Sequence, residues 1–171
     1  MHTESIKAVF LDRDGVINSD KDLYYVTHPD QFILNEGIGE FLRILQDAGY
    51  LLIIITNQGG IAKGLYTHQT LEKIHQKMLH QLESYGVYIT EIYYCPHHPD
   101  YGKCLCRKPE SLLIEKALAR FHINPDTSFF IGDRESDIQT AIKAGIMPVK
   151  TEPNENLMKY LEILTRQINS G

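Results

Sequence analysis

Apolar residues follow two rhythms along this chain. In some stretches they run almost unbroken; in others they recur every three or four positions. Residues 6–11 are a mainly apolar run that ends in Asp12, Arg13, Asp14 and Gly15. A short apolar run closed by a turn signal reads as a buried strand. Residues 50–56 are almost continuously apolar and β-branched. That is the pattern of a central parallel strand covered on both faces. Residues 91–95 and 128–131 read as a third and a fourth strand. Residues 146–149 are a weaker fifth, and Pro148 suggests an edge position.

Between these runs the period lengthens. Ile38, Phe41, Leu42 and Leu45 have helical spacing, and Gly49 closes that helix. Thr67 is a plausible N-cap for a long helix carrying Leu71, Ile74, Met78, Leu79 and Leu82, which Gly86 ends. His75 and His80 fall on it, where a packed or solvated histidine is expected rather than a ligand. Leu113, Ala117 and Leu118 mark the next helix, reaching Phe121. Ile138, Ala141 and Ile142 begin a short one closed by Gly145, and Leu157, Leu161, Leu164 and Ile168 make a last amphipathic one. Residues 18–35 are too irregular for either element. Residues 57–64 form a glycine-rich polar loop, and a cysteine-rich loop leads to Arg107, Lys108 and Pro109.

Strands alternating with helices predict a Rossmann-like, doubly wound α/β fold: a parallel sheet with right-handed crossovers and helices on both faces. Residues 1–171 read as a single domain, with no room for a large cap domain. In such sheets ligands bind beyond the carboxyl ends of the strands. Asp12, Asp14, Thr56 and Asp133 fall at such ends, and Lys108 is expected at the start of a helix on the same side.

Composition narrows the partners. The chain of 171 residues is 43% hydrophobic and 23% charged, ordinary values for a globular domain with one core. A net charge of −5 gives no support for a nucleic-acid or membrane-surface partner. There is no apolar run long enough for a membrane span. Residues 1–5 lack the regions of a signal peptide, so a cytoplasmic location is expected. A monomer is the expected state. All three cysteines, Cys95, Cys104 and Cys106, fall within twelve residues. An odd, clustered set is a poor disulfide framework and a better metal site.

Two acids at close range repel unless a cation lies between them or one takes a proton. Asp12 and Asp14 therefore suggest a hard ion, with Mg²⁺ the usual partner of carboxylate and phosphate oxygens. Alone, Asp-x-Asp-Gly fits a polar turn equally well, as Thr56 fits a cap, Lys108 a solvated charge and Asp133 an N-cap. Their convergence on one crevice separates the two readings. Three thiolates and one imidazole, His97 or His98, make a Cys₃His set suited to a closed, structural, tetrahedral zinc.

Asp12-x-Asp14, then Thr56-Asn57, then Lys108, then Gly132-Asp133-x-x-x-Asp137 resembles the ordered motif set of the haloacid dehalogenase superfamily, over residues 9–149. The resemblance implies a Mg²⁺-dependent phosphomonoester hydrolase. Asp12 would be the nucleophile, forming an aspartyl-phosphate. Asp14 would protonate the leaving oxygen, then take a proton from water, and lend the metal its backbone carbonyl. Asp12, Asp14 and Asp133 would hold Mg²⁺, with Asp137 a direct ligand or just behind one. Thr56, Asn57, Gln58, Arg107 and Lys108 would contact phosphate and substrate.

Cys95-Pro96-His97 followed by Cys104-Leu105-Cys106-Arg107-Lys108-Pro109 resembles a zinc-containing branch of that superfamily, and selects His97 as the fourth ligand beside Cys95, Cys104 and Cys106. The branch includes D-glycero-D-manno-heptose 1,7-bisphosphate phosphatases and histidinol-phosphate phosphatases. Residues 56–64 and 93–99 look closer to the heptose enzymes, so a small sugar bisphosphate is the expected substrate and histidinol phosphate the alternative. A zinc-stabilised binding module without catalysis is the reading from another class. The intact set of Asp12, Asp14, Lys108 and Asp133 argues against it.

Overall fold

The computed structural model describes residues 5–168. Its strands are β1 (Lys7–Leu11), β2 (Tyr50–Asn57), β3 (Glu91–Cys95), β4 (Phe129–Gly132) and β5 (Met147–Lys150). All neighbours are parallel, in the order β3-β2-β1-β4-β5. The helices are α1 (Ile38–Asp47), α2 (His68–Glu83), α3 (Leu112–Phe121), α4 (Glu135–Lys143) and α5 (Leu161–Ile168). Among the described residues no helix is long and apolar enough to cross a membrane.

The two-residue period of the central strands explains the layers. Val9 and Leu11 of β1, with Leu52 and Ile54 of β2, face a core completed by Phe41 and Leu45 of α1 and by Ile74 and Met78 of α2. Ala8 and Phe10, with Ile53 and Ile55, face a second core completed by Leu113, Ile114 and Ala117 of α3 and Ala141 of α4. Each fully buried side chain of this size contributes roughly 1.5–3 kcal/mol. Two apolar faces on one strand leave no register in which it could be exposed. The chain runs outward from β1 to β3, then crosses to β4 on β1's other side. The order reverses at β1, and a crevice opens there beyond the strand ends.

The expected elements are present, with local differences. Thr67 caps α2, its hydroxyl accepting from the Thr70 amide at 3.1 Å. Ser128 precedes β4: its hydroxyl accepts from the Ala8 amide at 2.9 Å and donates to the Asn124 carbonyl at 2.7 Å. Leu79 and Ile142 are exposed, each one position off its helix's apolar stripe. Leu157 is buried in a 3-10 turn before α5, and Leu164 is buried within it; the side chain of Ile168 lies outside the described residues. Lys108 is not at a helix start. Helix α3 begins at Leu112, because the residue before a proline is driven from helical geometry.

Candidate active site

Asp12 follows β1 directly, and its amide donates to the Ile131 carbonyl at 3.1 Å, which seats it beside the end of β4. Asp133 follows β4, and Asp137 lies in the first turn of α4. Each of these three acids offers a carboxylate oxygen within 4.8 Å of the others. Gly15 makes their approach possible: with φ +82°, any Cβ there would lie 2.7 Å from Asp133 Oδ2. Lys108 Nζ reaches Asp12 Oδ1 at 2.9 Å, Asp137 Oδ1 at 2.7 Å and the Ile55 carbonyl at 2.9 Å. The Asn57 side chain pins the lysine's backbone, donating to its carbonyl at 3.1 Å and accepting from its amide at 3.0 Å.

One buried cation does not balance three acids. Burial pushes the Asp12 pKa up to about 7; Lys108 pulls it down, and Asp137 and Asp14 push it up again. Burial and then the Asp137 charge bring Asp133 to about 6. Burial works against the Lys108 charge, but Asp12 and Asp137 outweigh it and hold its pKa above the usual value. Asp133 Oδ1 is buried with no hydrogen-bond partner. An unpaired carboxylate oxygen among like charges fits a hard divalent cation.

The consequence for stability has a definite sign. A carboxyl whose folded pKa lies above its unfolded value of 3.8 binds more protons folded than unfolded between the two. Without metal, stability should therefore fall as pH rises from about 4 to about 7, a window set by the raised pKa values of Asp12 and Asp133. Millimolar Mg²⁺ should remove most of that fall. Thermal melting across this range, with and without Mg²⁺, checks it; curves unchanged by Mg²⁺ would count against a cation among these acids.

Asp14 is held apart from the three. Arg13 Nη2 lies 2.8 and 3.0 Å from its two oxygens, Asn18 Nδ2 at 3.0 Å and Gln58 Nε2 at 2.9 Å. Burial opposes its charge, yet the Arg13 charge and these hydrogen bonds win, keeping its pKa below the usual carboxylate value. Gln58, expected among the substrate contacts, is 2% exposed and turned inward, bonded to Asp14 and to Thr56 Oγ1.

Asp12, Asp14, Asn57, Arg107 and Lys108 line the crevice. So do Tyr24, Tyr25, Arg134 and Ser136, which sequence reasoning missed. The tyrosines lie in the irregular stretch after β1, with no period to give them away. Arg134 and Ser136 occupy the unspecified positions between Asp133 and Asp137, where adjacency was the available signal.

A second cluster closes the loop after β3. Cys95 Sγ lies 3.1 Å from Cys106 Sγ, 3.6 Å from Cys104 Sγ and 3.5 Å from His97 Nδ1; His97 Nδ1 lies 3.3 Å from Cys106 Sγ. A tetrahedral ion with bonds of about 2.0–2.3 Å sets ligand separations of about 3.5–3.8 Å, so little movement would enclose one. His98 is engaged elsewhere, its Nδ1 accepting from the Asp100 amide at 3.3 Å. The cluster touches the crevice through Arg107, whose Nη1 donates to the His97 carbonyl at 3.0 Å.

Buried acids sharing a lysine, beside a separately held acid at the switch point of a parallel sheet, define a phosphoryl-transfer hydrolase of the α/β class. Comparison with known proteins agrees. Residues 105–152 match a family model described as HAD-hydrolase-like. A D-glycero-beta-D-manno-heptose-1,7-bisphosphate 7-phosphatase of Haemophilus ducreyi is 43% identical over 146 residues, covering 82% of this chain and 79% of that protein. A D-glycero-alpha-D-manno-heptose-1,7-bisphosphate 7-phosphatase of Photorhabdus laumondii is 38% identical over 96% of this chain and 97% of that one. The crystal structure of D,D-heptose 1,7-bisphosphate phosphatase from B. bronchiseptica, complexed with magnesium and phosphate, matches with a TM-score of 0.81 at 35% identity, covering 92% of this chain and 87% of that one. The chain belongs to the haloacid dehalogenase superfamily, and it is a phosphatase.

Proposed function

We propose that this enzyme hydrolyses the 7-phosphate of a D-glycero-D-manno-heptose 1,7-bisphosphate, with Mg²⁺ at the acid cluster and structural zinc at the cysteine cluster. The observation that carries the reading is the Asp12–Lys108 pair on the crevice floor beside Asp14, in a chain whose relatives at about 40% identity are named for that reaction.

The ionised Asp12 carboxylate attacks phosphorus, and the bond to the leaving oxygen breaks. The Asp14 carboxyl gives that oxygen its proton. The phosphate charge arriving beside Asp14 raises its proton affinity, which supplies the acid form. Once the alcohol has left, the ionised form that Arg13 favours takes a proton from the attacking water. Asp12 is regenerated and phosphate released. Thr56 Oγ1 accepts from Gln58, so its own proton remains for a phosphoryl oxygen. The Asn57 amide and Lys108 complete that grip, and Arg107 and Arg134 offer charge to the non-reacting end of the substrate. Asp12, Asp133 and the Asp14 carbonyl would hold Mg²⁺, with Asp137 within reach, and the ion would supply the positive charge that lets an anion attack an anion. Cys95, His97, Cys104 and Cys106 would enclose zinc completely, leaving no position for substrate. The proposal extends to a cytoplasmic monomer acting on a small metabolite rather than on nucleic acid or a membrane. Three free thiols suit a reducing compartment, and the net charge of −5 suits neither alternative partner.

The test is phosphate release from both anomers of the heptose bisphosphate, from histidinol phosphate and from an aryl phosphate, with and without Mg²⁺. A heptose bisphosphate should be favoured over histidinol phosphate by at least about tenfold in kcat/KM, a difference of about 1.4 kcal/mol. Turnover should require Mg²⁺, and purified protein should carry about one zinc per chain. The opposite preference would replace the substrate and leave the phosphatase assignment standing.

A further inference from the structure

Behind Asp14 lies a group of buried polar side chains, two of which, His75 and Tyr66, have no part in the proposed chemistry. Arg13 is 0% exposed, Gln58 2%, His75 4% and Tyr66 6%. A buried guanidinium needs partners for its charge and its N–H groups. Nε and Nη2 of Arg13 point to Asp14, and Nη1 lies 3.2 Å from His75 Nε2. Arginine has no lone pair to offer, so Nε2 of His75 is the acceptor and the ring is neutral. Burial and then the Arg13 charge hold the His75 pKa down at about 3, in agreement with that tautomer.

The other side of Asp14 is arranged in the same way. The Tyr66 hydroxyl donates to Gln58 Oε1 at 2.6 Å. Both Nε2 protons of Gln58 are then left for acceptors, Asp14 Oδ2 and Thr56 Oγ1, each at 2.9 Å. A flipped Gln58 amide would set its oxygen against the Asp14 carboxylate, which only accepts, so the observed orientation is fixed. Asp14 thus receives donors from two sides, and each donor is backed by one further residue. Its carboxylate lines the crevice but contributes no oxygen to the group formed by Asp12, Asp133 and Asp137.

We infer that His75 and Tyr66 are positioning residues for proton transfer by Asp14: His75 sets the Arg13 fork, Tyr66 sets the Gln58 amide, and together they keep the Asp14 carboxyl facing the leaving oxygen rather than the acid cluster. The inference rests on the reading of Asp14 as the proton donor. Two parallel N–H···O contacts from Arg13 fix the plane of the carboxylate, and losing either support frees a torsion that proton transfer needs fixed.

The test uses His75→Leu, His75→Gln and Tyr66→Phe, with Asp14→Asn as reference. Single-turnover phosphorylation is measured with a sugar phosphate, a poor leaving group, and with an aryl phosphate, a good one. His75→Leu should lower the sugar-phosphate rate by about 10- to 100-fold, a part of what general acid catalysis supplies, with KM changed less than about twofold. The aryl ester should lose several-fold less. His75→Gln keeps an acceptor for Arg13 and should return to within about threefold of the unmodified enzyme. Tyr66→Phe removes one oxygen and no packing, and should show the same leaving-group bias even if the leucine variant folds poorly. Equal losses on both esters, or no recovery with glutamine, would show a merely structural role and overturn the inference. An Asp14→Asn variant without leaving-group bias would overturn the reading of Asp14 itself, and the inference with it. A bias in Asp14→Asn that is absent from His75→Leu and Tyr66→Phe would sink the inference alone.

Discussion

Replacing Asp12 with asparagine is expected to lower phosphate release by at least about 10³-fold while leaving the fold intact. The amide is nearly isosteric with the carboxylate but cannot act as an anionic nucleophile. Stability should hold, because Lys108 keeps Asp137 at 2.7 Å and the variant loses the repulsion among Asp12, Asp137 and Asp14. At pH 8 without metal, above the raised Asp12 pKa of about 7, the variant should melt no lower than the parent. Circular dichroism and a phosphate-release assay on the same preparation check both halves. Retention of more than a tenth of the activity would remove Asp12 from the nucleophile's role.

Lys108→Met should damage both activity and stability. Methionine has a stem of similar length, so the packing around a side chain only 2% exposed is largely kept. What is lost is the one cation between two buried carboxylates, at 2.9 and 2.7 Å. Breaking a buried pair by removing one partner costs on the order of 3–5 kcal/mol. The cost should be largest near pH 8 and shrink toward pH 5, as Asp12 takes up a proton from its raised position of about 7. Urea unfolding at the two pH values measures this. Turnover should fall by at least about 10²-fold, since a donor that stabilises transition-state charge is gone. A variant as stable as the parent at pH 8 would show that Lys108 does not neutralise the acids.

Much of the fold was readable in the sequence because its strongest signals are physical requirements. Residues 50–56 are apolar on both faces, and only a central strand between two helix layers buries both. Asp12, Asp133 and Lys108 could be placed at one end of the sheet because strand ends in a parallel sheet share a side. What was not legible depended on side-chain direction. Gln58 sits in a polar, glycine-rich stretch and is expected from the resemblance to touch substrate; the structure shows it turned inward against Tyr66. Arg13 carries no sequence signal of its own for a place in the site, since buried arginine is rare. It lies at the heart of the site, as the alternation along β1 already broke down at Asp12. The helix expected to begin at Lys108 was displaced by the next residue, Pro109, whose effect outweighed the apolar spacing further on. His97 and His98 could not be separated by spacing; in the structure His97 lies among the three thiols, while His98 accepts from the Asp100 amide.

The position of β1 at the middle of the sheet sets a problem of timing on the ribosome. Its partner β2 follows within about fifty residues, but its other partner, Phe129–Ile131 of β4, is translated some 120 residues after Val9–Leu11. Until then a nascent sheet of β1, β2 and β3 presents β1 as an open edge, an unpaired template of the kind that recruits other chains. The Ala8 amide lacks Ser128, and the amide of Asp12 lacks Ile131. Synthesis at about 5–20 residues per second makes that interval several seconds or more, long on the scale of strand association. The last quarter of the chain therefore protects the first strand as well as completing the site. Truncations ending before Phe129 should be the aggregation-prone fragments of this protein, and holdase chaperones should bind them through the apolar face and open edge of β1.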